Sequence, residues 1–141
     1  MTESKLADEV IEAEFSRFLD AMDLREKVEA KLDDDDRKSL EELKAIVFRA
    51  LRRGSLAVDE QGRMVFTPQI PPKDYDATGR LVFNEPTGAT LVSMDKMQAG
   101  ANVAKMNTLL GAVTGTSAAF FSRLALRDYR VCQAVLQLFL A

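Results

Sequence analysis

Side chains able to do acid–base, nucleophilic or metal chemistry are sparse in this chain and poorly spaced for it. Its 141 residues include no histidine and a single cysteine, so the side chain that titrates near neutral pH and most often ligates metals is missing. Cys132 stands between Tyr129 and Val135 in an apolar run, where a thiol has a raised pKa and packing is its expected role. The run Asp33-Asp34-Asp35-Asp36 offers carboxylates to a cation. An EF-hand loop begun at Asp33, however, needs glycine where Lys38 stands and a bidentate glutamate where Lys44 stands. The run therefore reads as a solvated loop whose charge favours the N-terminus of the helix behind it. The stretch Asn84-Glu85-Pro86-Thr87-Gly88-Ala89-Thr90 has the look of a phosphate loop but lacks the Gly-Lys-Ser/Thr ending, which leaves a strand-to-helix turn. With no catalytic base, metal-ligand cluster or phosphate loop, the expectation is a protein that is not an enzyme and holds no cofactor or metal.

What the chain does offer is apolar surface, concentrated towards its end. A last helix from about Leu126 to the terminus is apolar around most of its circumference, leaving only a stripe of Arg130, Gln133 and Gln137. Such a helix is either central to a core or covered by a partner. Met94, Met97 and Met106 suit an irregular core, and equally a surface that adapts to several helical ligands. The candidate partner-binding set is Met94, Met97, Met106, Tyr129, Val131, Val135, Leu138 and Phe139.

The elements expected to position these residues follow from periodicity and caps. Leu6, Val10, Ile11, Phe15, Phe18, Leu19 and Met22 recur at three- and four-residue spacing, which predicts an amphipathic helix from about Glu3 to Met22. Asp23 with Glu26 resembles a capping box ahead of a short helix, Leu24 to Leu32. Ser39 with Glu42 repeats that signal before a third helix that Gly54 stops. The period then changes: Leu56-Ala57-Val58 and Met64-Val65-Phe66 flank a four-residue loop, Asp59 to Gly62, and predict a hairpin. Pro68, Pro71 and Pro72 mark the one plausible linker, up to Gly79, and a short strand is expected over Arg80 to Asn84. Helices are expected from Thr87 to about Met97, Asn102 to Val113, Ser117 to Leu124, and Leu126 onward. The fold class is mainly helical α+β with a small antiparallel β element, in a single domain. Its subregions are an acidic helical part (1–54), a β hairpin, proline-rich loop and short strand (55–84) and an apolar helical part (85–141).

Charge is asymmetric. Residues 1–60 carry 17 acids and 11 bases, a balance of −6, whereas the rest carries 5 acids and 8 bases, a balance of +3. The acidic half argues against nucleic acid as partner, and Arg123, Arg127 and Arg130 are expected to pair with it. No apolar run reaches the length of a membrane span, and the N-terminus lacks the basic start and apolar core of an export signal. A soluble, cytoplasmic protein is expected, with self-association left open.

One succession of residues resembles a known family. It comprises Leu81-Val82-Phe83-Asn84-Glu85-Pro86-Thr87-Gly88, then Asp95, then Leu109-Leu110 with Val113-Thr114-Gly115, then Leu124-Ala125-Leu126-Arg127-Asp128-Tyr129, and the ending Leu138-Phe139-Leu140. A strand ending in a polar residue plus proline, a helix, a leucine then Thr-Gly helix end and a Leu-x-x-x-Asp entry to a final apolar helix look like the phage tail assembly chaperones. The likeness is to the small ones of Mu-like and P2-like contractile-tailed phages, and it covers roughly residues 80–141; residues 1–66 do not fit the shorter family members. The resemblance implies a chaperone that binds the helical tape measure protein in the host cytoplasm. It would keep that protein soluble until tail tube subunits, a second candidate partner, polymerise around it, and then leave before the particle matures. The alternative is a small structural tail or connector protein retained in the virion.

Overall fold

The computed structural model describes residues 8–26, 33–70, 72, 80–90 and 102–140. Helix α1 spans Asp8–Ala21 and buries Ile11, Phe15, Phe18 and Leu19, the face its spacing predicts. It ends in a Schellman closure. Asp23 takes a left-handed conformation (φ 56°), with its N–H on the Asp20 carbonyl at 3.4 Å and the Leu24 N–H on Leu19 at 2.9 Å. Asp23 thus closes α1, and the helix expected from about Leu24 begins directly behind it, with Arg25 and Glu26 helical. Residues 27–32, where most of that helix was expected, lie outside the described residues.

Helix α2 spans Asp34–Arg53, so it begins well before Ser39. Asp33 is its N-cap, its carboxylate accepting the Asp36 N–H at 2.8 Å, and Asp34, Asp35 and Asp36 form its first turn. The acidic run is thus part of a helix and not a loop; three carboxylates there complement the positive end of the helix dipole more fully than a serine five residues on would. Gly54 stops α2 as expected, at φ 85°, a left-handed cap that costs glycine no side-chain clash.

Strands β1 (Leu56–Val58) and β2 (Met64–Phe66) pair antiparallel with Leu56 opposite Phe66. Asp59 shapes the loop between them: its carboxylate accepts the N–H groups of Gln61 and Arg63, both at 2.9 Å, and the Arg63 Nε at 3.0 Å. Strand β3 is shorter than expected, Leu81–Val82, and adds to β2 to give the order β1-β2-β3. Beyond it Asn84 turns away from the sheet, its backbone and side-chain N–H groups both donating to the Val113 carbonyl. The Pro86-Thr87 corner then starts a helical turn at 88–90, where the Thr90 hydroxyl accepts the Thr87 N–H at 3.2 Å. The continuation to Met97 lies outside the described residues.

Helices α3 (Asn102–Thr114), α4 (Ala118–Ser122) and α5 (Leu126–Leu140) complete the chain in the order expected. The core is continuous through the described residues of both halves. Phe18 of α1 meets Phe139 of α5 edge-on, with centroids 5.6 Å apart, Phe15 meets Phe48 of α2 at 5.1 Å, and Leu56, Met64, Phe66 and Phe83 seal the sheet side. The architecture is mainly helical α+β, with α5 packed along α2. No described helix is long and apolar enough to cross a membrane.

Candidate functional site

The structure divides the candidate partner-binding residues into three groups. Val135, Leu138 and Phe139 are buried in the chain's own core. The last helix is therefore the central strut of the fold, and these three residues are corrected from partner surface to core: α1 and α2 already cover the face they occupy. Met106, Tyr129 and Val131 are half-buried against that core, and Met94 and Met97 lie outside the described residues. Tyr129 donates its hydroxyl to Asn107 Oδ1 at 2.8 Å, joining α5 to α3. Burial pushes the phenol pKa up, with the neighbouring Cys132 adding to the effect. Cys132 is fully buried, and its thiol is raised well above the ordinary range, first by burial and then by the charge of Asp128. That agrees with the packing role expected of it.

One surface pocket lies at the opposite end of α5. It is open, has a volume of about 220 Å3 and runs between the C-terminal half of α2 and the first turns of α5. Helical spacing builds it: Ile46, Arg49, Ala50 and Arg53 recur along one stripe of α2, and Arg127 with Arg130 and Val131 along one stripe of α5. Ser55 and Gln69 complete the lining. Asp128 sits in the wall, 1% exposed. Its two carboxylate oxygens accept the backbone N–H groups of Gln69 (2.9 Å) and Ile70 (3.0 Å), which staples the segment after β2 to the start of α5.

Electrostatics set this pocket apart. The other resolved surface arginines are largely matched: Arg17 with Glu14, Arg37 with Asp34 at 2.7 Å, Arg52 with Asp8 at 2.6 Å and Arg63 with Asp59 at 3.0 Å. Arg49, Arg53, Arg127 and Arg130 are all exposed and make no ion pair among the described residues. Among the described residues Arg127 and Arg130 make no ion pair with the acidic half, and folding gathers them with two more arginines. A helix dipole accounts for Arg53, in the last turn of α2, but disfavours Arg127 in the first turn of α5. Next in sequence to the lining residues Gln69 and Arg127, two large apolar side chains face solvent: Ile70 is 49% exposed and Leu126 62%.

Sequence reasoning named neither the arginine cluster nor Asp128 as part of a site. The spacings Arg49-x-x-x-Arg53 and Arg127-x-x-Arg130 were readable as one-sided pairs, but their convergence depends on the packing of α5 on α2, which no local pattern encodes. Among the described residues no group of histidine, cysteine or acidic side chains is placed to hold a metal ion. Comparison of the chain with protein-family models, curated proteins and solved structures finds no match.

Proposed function

We propose that this chain is a tail assembly chaperone of a phage or prophage, binding the long helical tape measure protein in the host cytoplasm and holding it soluble until the tail tube forms around it. One observation supports this reading most. The fold uses its most apolar helix internally, yet leaves a basic pocket open where α5 begins, with Ile70 and Leu126 exposed near four arginines that make no ion pair among the described residues. Solvent-exposed apolar anchors beside arginines are the composition of protein-binding surfaces, and a helix laid along such a face makes contacts at i, i+3, i+4 and i+7. The sequence likeness over residues 80–141 supplies the nature of the partner. On this reading the partner docks at the pocket.

The experiment first looks for a long helical reading frame beside the gene for this chain, then co-expresses its product with the chain and analyses purified particles by mass spectrometry. A chaperone increases the soluble tape measure protein, co-purifies with it and is absent from the particle. Presence in the particle at fixed copy number supports the alternative, a structural tail or connector protein. Failure to co-purify with the tape measure protein removes the proposal.

A further inference from the structure

We propose that the pocket between α2 and α5 recognises the carboxylates of an acidic, amphipathic helical segment, with Arg49, Arg53, Arg127 and Arg130 as the recognition groups. This rests on the docking-face reading above and specifies what the face selects.

Four guanidinium groups converge on a pocket whose lining holds one acid, Asp128, itself buried and bound to two backbone amides, so cationic groups outnumber the anionic one by four to one. Like charges gathered in this way repel one another, and an incoming anion relieves the repulsion. The guanidinium fork matches a carboxylate in bidentate fashion. Two forks from each wall suit successive acids on one face of a helix. Ile70 and Leu126 then select the source of those carboxylates: exposed apolar side chains next in sequence to the lining residues Gln69 and Arg127 add contact area for the apolar stripe of a helix and none for a free oxyanion. A nucleic-acid backbone fits less well, because the same helix α2 presents Asp34, Asp35 and Asp36 at its other end and would repel an extended polyanion. A short acidic segment needs only the pocket.

The test uses two labelled synthetic helices of one amphipathic sequence, with glutamates on the polar face of the first and glutamines on the second. Both are titrated into the full chain by fluorescence anisotropy. The glutamate peptide is expected to bind roughly tenfold tighter or more, with an advantage that shrinks as salt is added. The advantage should vanish in R127A/R130A and, independently, in R49A/R53A, while both variants keep a cooperative melt. Because the two pairs lie on different helices, unfolding of one variant still leaves the other as a test. Equal affinity for the two peptides, or an advantage that survives in a folded variant, overturns the proposal. Inorganic phosphate binding as tightly as the glutamate peptide also overturns it and identifies a small-anion pocket. Co-purification separates this inference from the chaperone reading. If both arginine variants retain the tape measure protein as well as the native chain does, acidic selection fails and the chaperone reading stands. If the native chain captures no tape measure protein yet prefers the glutamate peptide, the chaperone reading fails and the pocket inference stands.

Discussion

Asp128 links two segments that lie far apart in the chain. It is buried, makes no ion pair among the described residues, and holds the Gln69 and Ile70 amides to the start of α5. Asp128→Ala strands two N–H donors beside the pocket and is expected to cost about 1–3 kcal/mol. Chemical denaturation measures the loss, and faster amide exchange at residues 69 and 70 locates it; unchanged exchange there would contradict the staple. Asp59 organises the hairpin loop in a more exposed setting. Burial raises its pKa, but the backbone and side-chain hydrogen bonds from Arg63 and the Gln61 amide outweigh this and leave it lowered. Its contribution to stability is therefore complete above the ordinary carboxylate value near about 4 and is lost as pH falls through the lower folded value. The stability difference between the native chain and Asp59→Asn should shrink with acidification, and a difference that stays constant into strong acid would refute this. Neither role was legible beforehand. Asp128 read only as an entry residue to a helix, because its acceptors' partners lie 58 and 59 residues away.

Elements were more legible than residues, and most legible where local chemistry alone decides. The hairpin strands, the Gly54 stop and the order of α3, α4 and α5 all follow from period and punctuation. Starts were harder to read. Ser39-x-x-Glu42 and Asp33-x-x-Asp36 compete as N-terminal signals, and the earlier one prevails because the acids it brings into the first turn favour the dipole. Asp23 and Glu26 share the spacing of a capping box, and the buried pair Leu19 and Leu24 also favours closure of α1 there. At the Pro86 corner the capping bond belongs to the Thr90 hydroxyl, which accepts the Thr87 N–H. Thr90→Ala should therefore destabilise by about 1 kcal/mol and Thr87→Ala by less, as denaturant melts of the two variants will show; the reverse order would return the cap to Thr87. Gly111 has a role that no periodicity reveals. A Cβ there would stand 2.7 Å from the Thr116 carbonyl oxygen and 3.2 Å from the Ala118 nitrogen. Despite alanine's higher helix propensity, Gly111→Ala is expected to lower the melting temperature by forcing α4 away from α3. An unchanged or raised melting temperature would show that the α3–α4 turn yields freely.

At the scale of the whole molecule, the sequence suggests an acidic helical half and an apolar helical half with separate tasks, whereas the structure shows one core shared by both. An over-apolar helix can face its own core or a partner, and only the aromatic contacts from α1 and the length of α2 against α5 decide between them. Val135, fully buried, is the sharpest probe of that outcome. Val135→Asp places an unpaired charge in the core and should abolish the cooperative melt, where a partner-facing Val135 would leave the fold intact. The same packing that hides the end of α5 creates the site at its beginning, by carrying Arg127 and Arg130 against Arg49 and Arg53. The most direct measurement is hydrogen–deuterium exchange of the chain alone and in its co-purified complex with the tape measure protein. Exchange is expected to slow at residues 46–55, 69–70 and 126–131 and to stay unchanged at 132–139, which the core already shields. Slowing confined to α1 and the hairpin, with none around the arginine pocket, would contradict the account.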